Sequence, residues 1–100
     1  MNTRLQHLPT RRPEVLLRES GTETLLFVWG EEETHVLNPT ARAIWDLCDG
    51  TTTLGELADA ICLVFAVPRE HALADVTAVL DQLSEARLVD WSSSSDRGTA

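Results

Sequence analysis

The dipeptide Asn38-Pro39 divides the sequence into two parts with different hydrophobic periods, and this change constrains the fold more than any other feature. Before it, apolar residues occur in short runs separated by turn residues, which is the pattern of β-strands. After it, apolar residues recur at intervals of three and four, which is the pattern of amphipathic helices. Asn is a favoured helix N-cap, and Pro fits the first helical position because its missing N–H is not needed there. The sequence therefore predicts an α+β fold in which strands precede helices.

Three short runs before Asn38 predict strands. They cover residues 15–18, 24–29 and 34–37. Turn residues follow the first two runs, and runs this close together favour a three-stranded antiparallel meander. The second run is apolar at successive positions, so both of its faces need a cover. The N-terminal arm, a second copy of the chain and a ligand are the three candidates for the second face.

Three apolar stripes after Asn38 predict three helices. The first ends at Asp49-Gly50, and the second begins in the capping box formed by Thr53 and Glu56. Val67-Pro68 separates the second helix from the third, which covers about residues 69–87. Residues 88–91 are either a short final strand or an extended cap.

The chain length of 100 residues, 43% of them hydrophobic, predicts one folded domain. Residues 1–12 have no clean period and are expected to form a flexible N-terminal arm. Residues 92–100 are a Ser-rich polar segment and are expected to form a disordered tail. The folded domain is therefore expected to cover residues 13–91.

The charge balance argues against nucleic acid as the partner. The chain has 16 acidic and 8 basic residues, for a net charge of −8, and the predicted third helix carries four acidic residues against two arginines. A winged-helix protein that inserts this helix into DNA would bring like charges together. DNA binding remains the alternative function from another class, and a plain dimerisation domain is a further alternative.

No set of residues in the sequence has the spacing of a catalytic or metal site. His7, His35 and His71 are far apart, and the motifs CxxC, HxH and HExxH are absent. Cys48 and Cys62 lie on apolar helix stripes, as small buried residues do. We therefore expect no catalytic residue, no metal and no cofactor. The sequence has no secretory signal and no apolar run of membrane-spanning length, so we expect a cytoplasmic protein.

The predicted third strand, residues 34–37, would lie at an edge of the meander. Half of the backbone N–H and C=O groups of an edge strand are unpaired, and an edge is either protected or used. If it is used, an extended peptide adds as a further strand, with pockets beside it for alternate side chains. The other interpretations are an edge that is simply solvated and an edge that pairs with a second copy of the chain.

Two stretches of the sequence resemble the PqqD-like family. They are HVLNPTARAIWDLCDGTTTLGELADAI and, further along, ADVTAVLDQLSEARLVDW. The matching features are Leu-Asn at a strand end, Asp49-Gly50, a second helix that starts with Thr-x-x-Glu-Leu, and the spaced leucines of the third helix. The resemblance covers about residues 13–91.

The resemblance implies a winged-helix-like fold and a non-catalytic recognition module for ribosomally synthesised, post-translationally modified peptides. Such proteins bind the leader of a precursor peptide as an extra strand against the third strand, in a groove closed by the third helix. They present it to a modifying enzyme, such as a radical SAM enzyme or a leader peptidase. Carried over by position, the binding residues would be Thr34, His35, Val36, Leu37, Leu73, Asp75, Val76, Thr77 and Leu80. A homodimer through the same edge is a further expectation, and the resemblance leaves the pathway open.

Overall fold

The computed structural model describes residues 6–93. The strands are β1 (His7–Arg11), β2 (Val15–Ser20), β3 (Glu23–Val28), β4 (Thr34–Leu37) and β5 (Val89–Ser93), and the helices are α1 (Pro39–Asp46), α2 (Leu54–Phe65) and α3 (Arg69–Glu85). The α+β class, with an antiparallel meander before three helices, is confirmed. Over the described residues, none of the helices combines the length and the apolar character that a membrane span requires.

The predicted meander is the sheet β2-β3-β4, in which both pairs are antiparallel. A two-residue turn joins β2 to β3, and its first residue, Gly21, has a φ of 63°, which suits glycine. The third predicted strand matches β4 residue for residue. β3 ends at Val28, so Trp29 lies in the following turn rather than in the strand. β4 is bonded to one neighbour and forms an open edge of the described sheet.

The N-terminal segment differs from the expected flexible arm, because residues 7–11 form β1. This strand pairs antiparallel with β5, which extends to Ser93 and so enters the segment expected to be a tail. Backbone bonds fix β1 to the α1–α2 connection: Arg11 N donates to Cys48 O at 2.8 Å, and Gly50 N donates to Pro9 O at 3.0 Å. The sequence pattern did not reveal β1 because its pairing partner lies at the opposite end of the chain. Residues 1–5 and 94–100 lie outside the described residues.

The core lies between the three helices and the inner face of the meander. Its buried side chains include Leu26, Leu37, Ile44, Trp45, Leu57, Ile61, Val76 and Leu80. Both predicted caps are confirmed. The Asn38 side chain accepts from Ala41 N at 2.8 Å, and in the capping box Thr53 Oγ1 accepts from Glu56 N at 3.1 Å while Glu56 Oε1 accepts from Thr53 N at 2.9 Å. These caps fix where α1 begins after β4 and where α2 begins after the following loop.

Candidate functional site

The strand register decides which backbone groups of β4 face solvent. Ser20 and Glu23 close the two-residue turn, and such a closing pair is hydrogen-bonded. Bonded and non-bonded pairs alternate along an antiparallel ladder, so every second residue of β3 bonds to β4. Leu26, which is opposite His35, is one of these residues. His35 and Leu37 therefore direct their backbone N–H and C=O groups toward β3.

The open edge of β4 consequently exposes the backbone groups of Thr34 and Val36. Val36 is 57% exposed as a whole residue, so the edge is open at this position. The sequence left open whether His35 or Val36 has the outward N–H, and the register identifies Val36. An added strand would bond to Val36 and Thr34, and it would leave the β3–β4 ladder intact.

A cleft of about 500 Å³ lies beside this edge, between β4 and the C-terminal half of α3. Its lining residues are Glu33, Thr34, His35, Val36, Leu37, Gln82, Leu83, Glu85, Ala86 and Leu88. Leu37, Leu83 and Leu88 are buried, so they give the cleft an apolar floor. An apolar side chain of an added strand would gain about 25 cal/mol for each Å² that it buries there.

A second cleft of about 260 Å³ continues along α3 toward its N-terminus. It is lined by Asn38, Thr40, Asp75, Ala78, Val79 and Gln82. Gln82 lines both clefts, so the two form one surface, which we call the β4–α3 groove. The groove therefore follows the whole of β4 and continues past its C-terminal end, where α1 is capped.

The groove face of α3 is a single helical stripe. Asp75, Ala78, Val79, Gln82, Glu85 and Ala86 are separated by one, three or four residues, which places them on one side of the helix. The stripe contains small, polar and acidic residues and one large apolar residue, Val79, and the buried Leu83 lines the larger cleft beside it. The core stripe of α3, in contrast, consists of Ala72, Val76, Leu80 and Leu83.

The structure brings together some of the predicted binding residues and separates others. Thr34, His35, Val36, Leu37 and Asp75 line the β4–α3 groove. Val76 and Leu80 do not line it, because both are 0% exposed within the core. Leu73 packs against the core, and Thr77 is half-buried outside the lining of both clefts. These four positions differ from the sequence assignment because the most apolar side of an amphipathic helix turns toward the core.

Sequence reasoning missed Gln82, Glu85 and Ala86, which form the α3 wall of the larger cleft. A signal was available, because these residues recur at helical spacing on a stripe that adjoins the core stripe. Their small and polar side chains do not stand out from a solvated helix face. Only the position of β4 beside them distinguishes this stripe from other exposed positions on α3.

The outer face of the meander is partly apolar and open. Leu16 and Val36 are exposed there, and Leu25 and Phe27 between them are half-buried. Of the three covers considered for this face, the N-terminal segment is described from residue 6, and its strand β1 pairs with β5. The groove runs along the β4 edge of the sheet, and its floor includes the buried Leu37.

The two cysteines are in structural environments. Burial raises the pKa of the Cys48 thiol to about 12, so at neutral pH it is protonated and a poor nucleophile. Its Sγ donates to Ile44 O at 3.2 Å, and Cys62 Sγ donates to Val67 O at 2.9 Å. Within residues 6–93, no three His, Cys, Asp or Glu side chains are grouped so that they could hold a metal ion.

Comparisons with known proteins identify a family and a shared fold. Residues 15–89 match the model of the family described as "Coenzyme PQQ synthesis protein D (PqqD)". A relative named "PqqA binding protein", from Bradyrhizobium diazoefficiens, is 28% identical over 69 residues, which are 69% of this chain and 67% of the relative. A solved structure described as "TbiB1 in Complex with the TbiA(beta) Leader Peptide" superposes with a TM-score of 0.70 at 22% identity. The match covers 81% of this chain and 94% of that one, and it shows a shared fold.

Proposed function

The chain belongs to the PqqD family, and from this premise we propose that it binds the leader segment of a ribosomal precursor peptide in the β4–α3 groove. The observation that carries the proposal is the open edge of β4, where Thr34 and Val36 direct their backbone groups away from the sheet. A groove with an apolar floor runs along the length of this edge. Together they offer backbone pairing for affinity and a pocket for side-chain selection.

Both named relatives support this function. One is called a PqqA binding protein, and the other was solved with a leader peptide. The second shares the fold of this chain, with a TM-score of 0.70. The acidic surface of this chain, with its net charge of −8, disfavours nucleic acid as a competing ligand.

The protein acts by presenting the peptide and not by modifying it. A modifying enzyme, such as a radical SAM enzyme or a leader peptidase, would act on the peptide while the chain holds its leader. We propose a cytoplasmic location for this chain, because the peptide that it would bind is a ribosomal product. A homodimer through β4 would occupy the same open edge, so we expect the peptide and a second copy to compete for it.

The experiment first obtains a ligand and then locates it. A random display library of peptides about 12 residues long, enough to cover β4 and both flanks, is selected against the full chain. The best binder, the selected peptide, is titrated into isotopically labelled protein while backbone amide shifts are followed. We expect the shifts to cluster on Thr34–Leu37 and on residues 75–86. Shifts confined to the β1–β5 pair or to α2, or a failure to select any binder, would contradict the proposal.

A further inference from the structure

Among the described residues, the Asp, Glu and Arg side chains that line the β4–α3 groove are all acidic, and His35 is the other titratable side chain there. Glu33 and Glu85 line the larger cleft from its two walls, one just before β4 and the other at the end of α3. Asp75 lines the smaller cleft. Within residues 6–93, no arginine lines either cleft. The groove therefore carries negative charge at both ends, around an apolar floor.

In the part of the chain that the structure describes, the nearby arginines form no salt bridge with Glu33 or Glu85. Arg12 and Arg87 line a neighbouring cleft that the two glutamates also border. The Arg12 guanidinium is engaged elsewhere, with Glu14 at 2.8 Å and Asp90 at 3.4 Å. Within residues 6–93, no salt bridge joins Arg87 to either glutamate. Both carboxylates thus remain available to a ligand.

Resting on the proposed function, we propose that the groove selects leader segments that place a basic side chain between Glu33 and Glu85. A strand added to β4 would cover these carboxylates and remove part of their hydration, which costs free energy unless an opposite charge replaces the water. Arg or Lys meets this need, because its aliphatic stem lies along an apolar surface while its charged end reaches the carboxylates. A leader that is apolar throughout would bury the same floor but leave the two charges unmatched.

The test compares two charge-matched double variants of the full chain. The groove variant carries Glu33→Gln and Glu85→Gln, and the control carries Glu23→Gln and Glu70→Gln, two exposed glutamates outside the β4–α3 groove. Both variants change the net charge equally. The probes are the selected peptide and a copy in which its basic residues are replaced by Gln. Thermal unfolding first verifies that both variants fold.

We expect the selected peptides to be enriched in Arg or Lys at one position. At about 0.15 M salt, the groove variant should bind the selected peptide about three- to tenfold more weakly, as the loss of two partly exposed ion pairs predicts. The control variant should stay within about twofold, and the neutral copy should not distinguish the two variants. Raising the salt concentration should shrink the difference between the groove variant and the unmodified chain.

Two results would overturn the inference. Equal losses in the groove and control variants would show a general effect of net charge, and no loss in the groove variant would show that the two carboxylates do not contact the peptide. In either case, shifts that still cluster on Thr34–Leu37 would leave the proposed function standing. Peptide shifts away from β4 would instead contradict the proposed function itself.

Discussion

The two long faces of α3 differ in composition and in role. One face buries Ala72, Val76, Leu80 and Leu83 against the rest of the domain. The other lines the β4–α3 groove with Asp75, Ala78, Val79, Gln82, Glu85 and Ala86. The apolar face anchors the helix, and that anchoring fixes how the smaller and more polar face stands beside β4. The apolar face of α3 therefore supports the site and, through Leu83, contributes to the floor of the groove.

The same division applies within β4. Leu37 is buried with the core, and His35 directs its backbone toward β3. Val36 lies between them and directs its backbone outward. Neighbouring residues of β4 thus have different roles, one bonding within the sheet and the next facing the open edge, because side chains and backbone groups alternate in direction along a strand.

The largest expected effect is on the free energy of unfolding, which should change much more for a substitution on the buried face of α3 than for one on the groove face. Leu80→Ala removes a fully buried side chain and should lower the free energy of unfolding by about 2–5 kcal/mol. This corresponds to a melting temperature lower by roughly 10–30 °C in a domain of this size. Gln82→Ala, on the groove face, should change stability by less than about 0.5 kcal/mol. Thermal unfolding followed by circular dichroism measures both, and a Leu80→Ala variant that melts normally would contradict the assignment of faces.

The second effect is on peptide affinity, which should fall for a substitution on the groove face of α3 and not for one elsewhere on the helix. Gln82→Trp places a large side chain where the two clefts meet and should obstruct an added strand. We expect affinity for the selected peptide to fall by about 1–3 kcal/mol, or roughly 5- to 150-fold. His71→Trp, at an exposed position of α3 outside the groove lining, is the matched control. Calorimetric titration gives both affinities, and equal binding by the two variants would place the ligand elsewhere.

The third effect tests the alternation within β4. Val36→Pro removes an outward N–H and should weaken peptide binding by about 0.5–1.5 kcal/mol while the domain stays folded, since edge strands tolerate proline at such positions. His35→Pro removes an N–H that bonds to β3, so it should chiefly lower the melting temperature. Titration and thermal unfolding of both variants test the pair. The reverse outcome, with Val36→Pro unstable and His35→Pro impaired only in binding, would show that the derived register is wrong.

The smallest effect concerns the far end of the groove. Asp75→Asn removes one exposed charge and should reduce the affinity for a basic peptide by about 0.2–1 kcal/mol, less than the double change at Glu33 and Glu85. Asp75 lines the smaller cleft, where the groove passes beyond the end of β4. Titration of the same peptide into both variants measures the ratio. A larger loss from Asp75→Asn would mean that the basic side chain lies at the α1 end of the groove.

Short-range sequence patterns predicted the order of the meander strands and of the three helices. Asn38-Pro39, the Thr53–Glu56 capping box and the short turn at Gly21 act within a few residues, so their effects can be read without the rest of the fold. The β1–β5 pairing escaped the same reasoning because it joins residues from opposite ends of the chain. No local pattern of residues 7–11 records a partner more than 70 positions away in the sequence.

The sequence by itself determined that this chain has an edge strand followed by an amphipathic third helix, and that its ligand is not expected to be polyanionic. The family resemblance assigned Thr34–Leu37 and Asp75 to the peptide-binding surface, and these residues line the groove. Tertiary structure alone decided which side of α3 faces β4 and which N–H of β4 faces outward. The reason is physical: helix rotation is set by burial of the whole apolar stripe, and strand register is set by the turn and the neighbouring strand. Both depend on contacts between segments that are distant in the sequence.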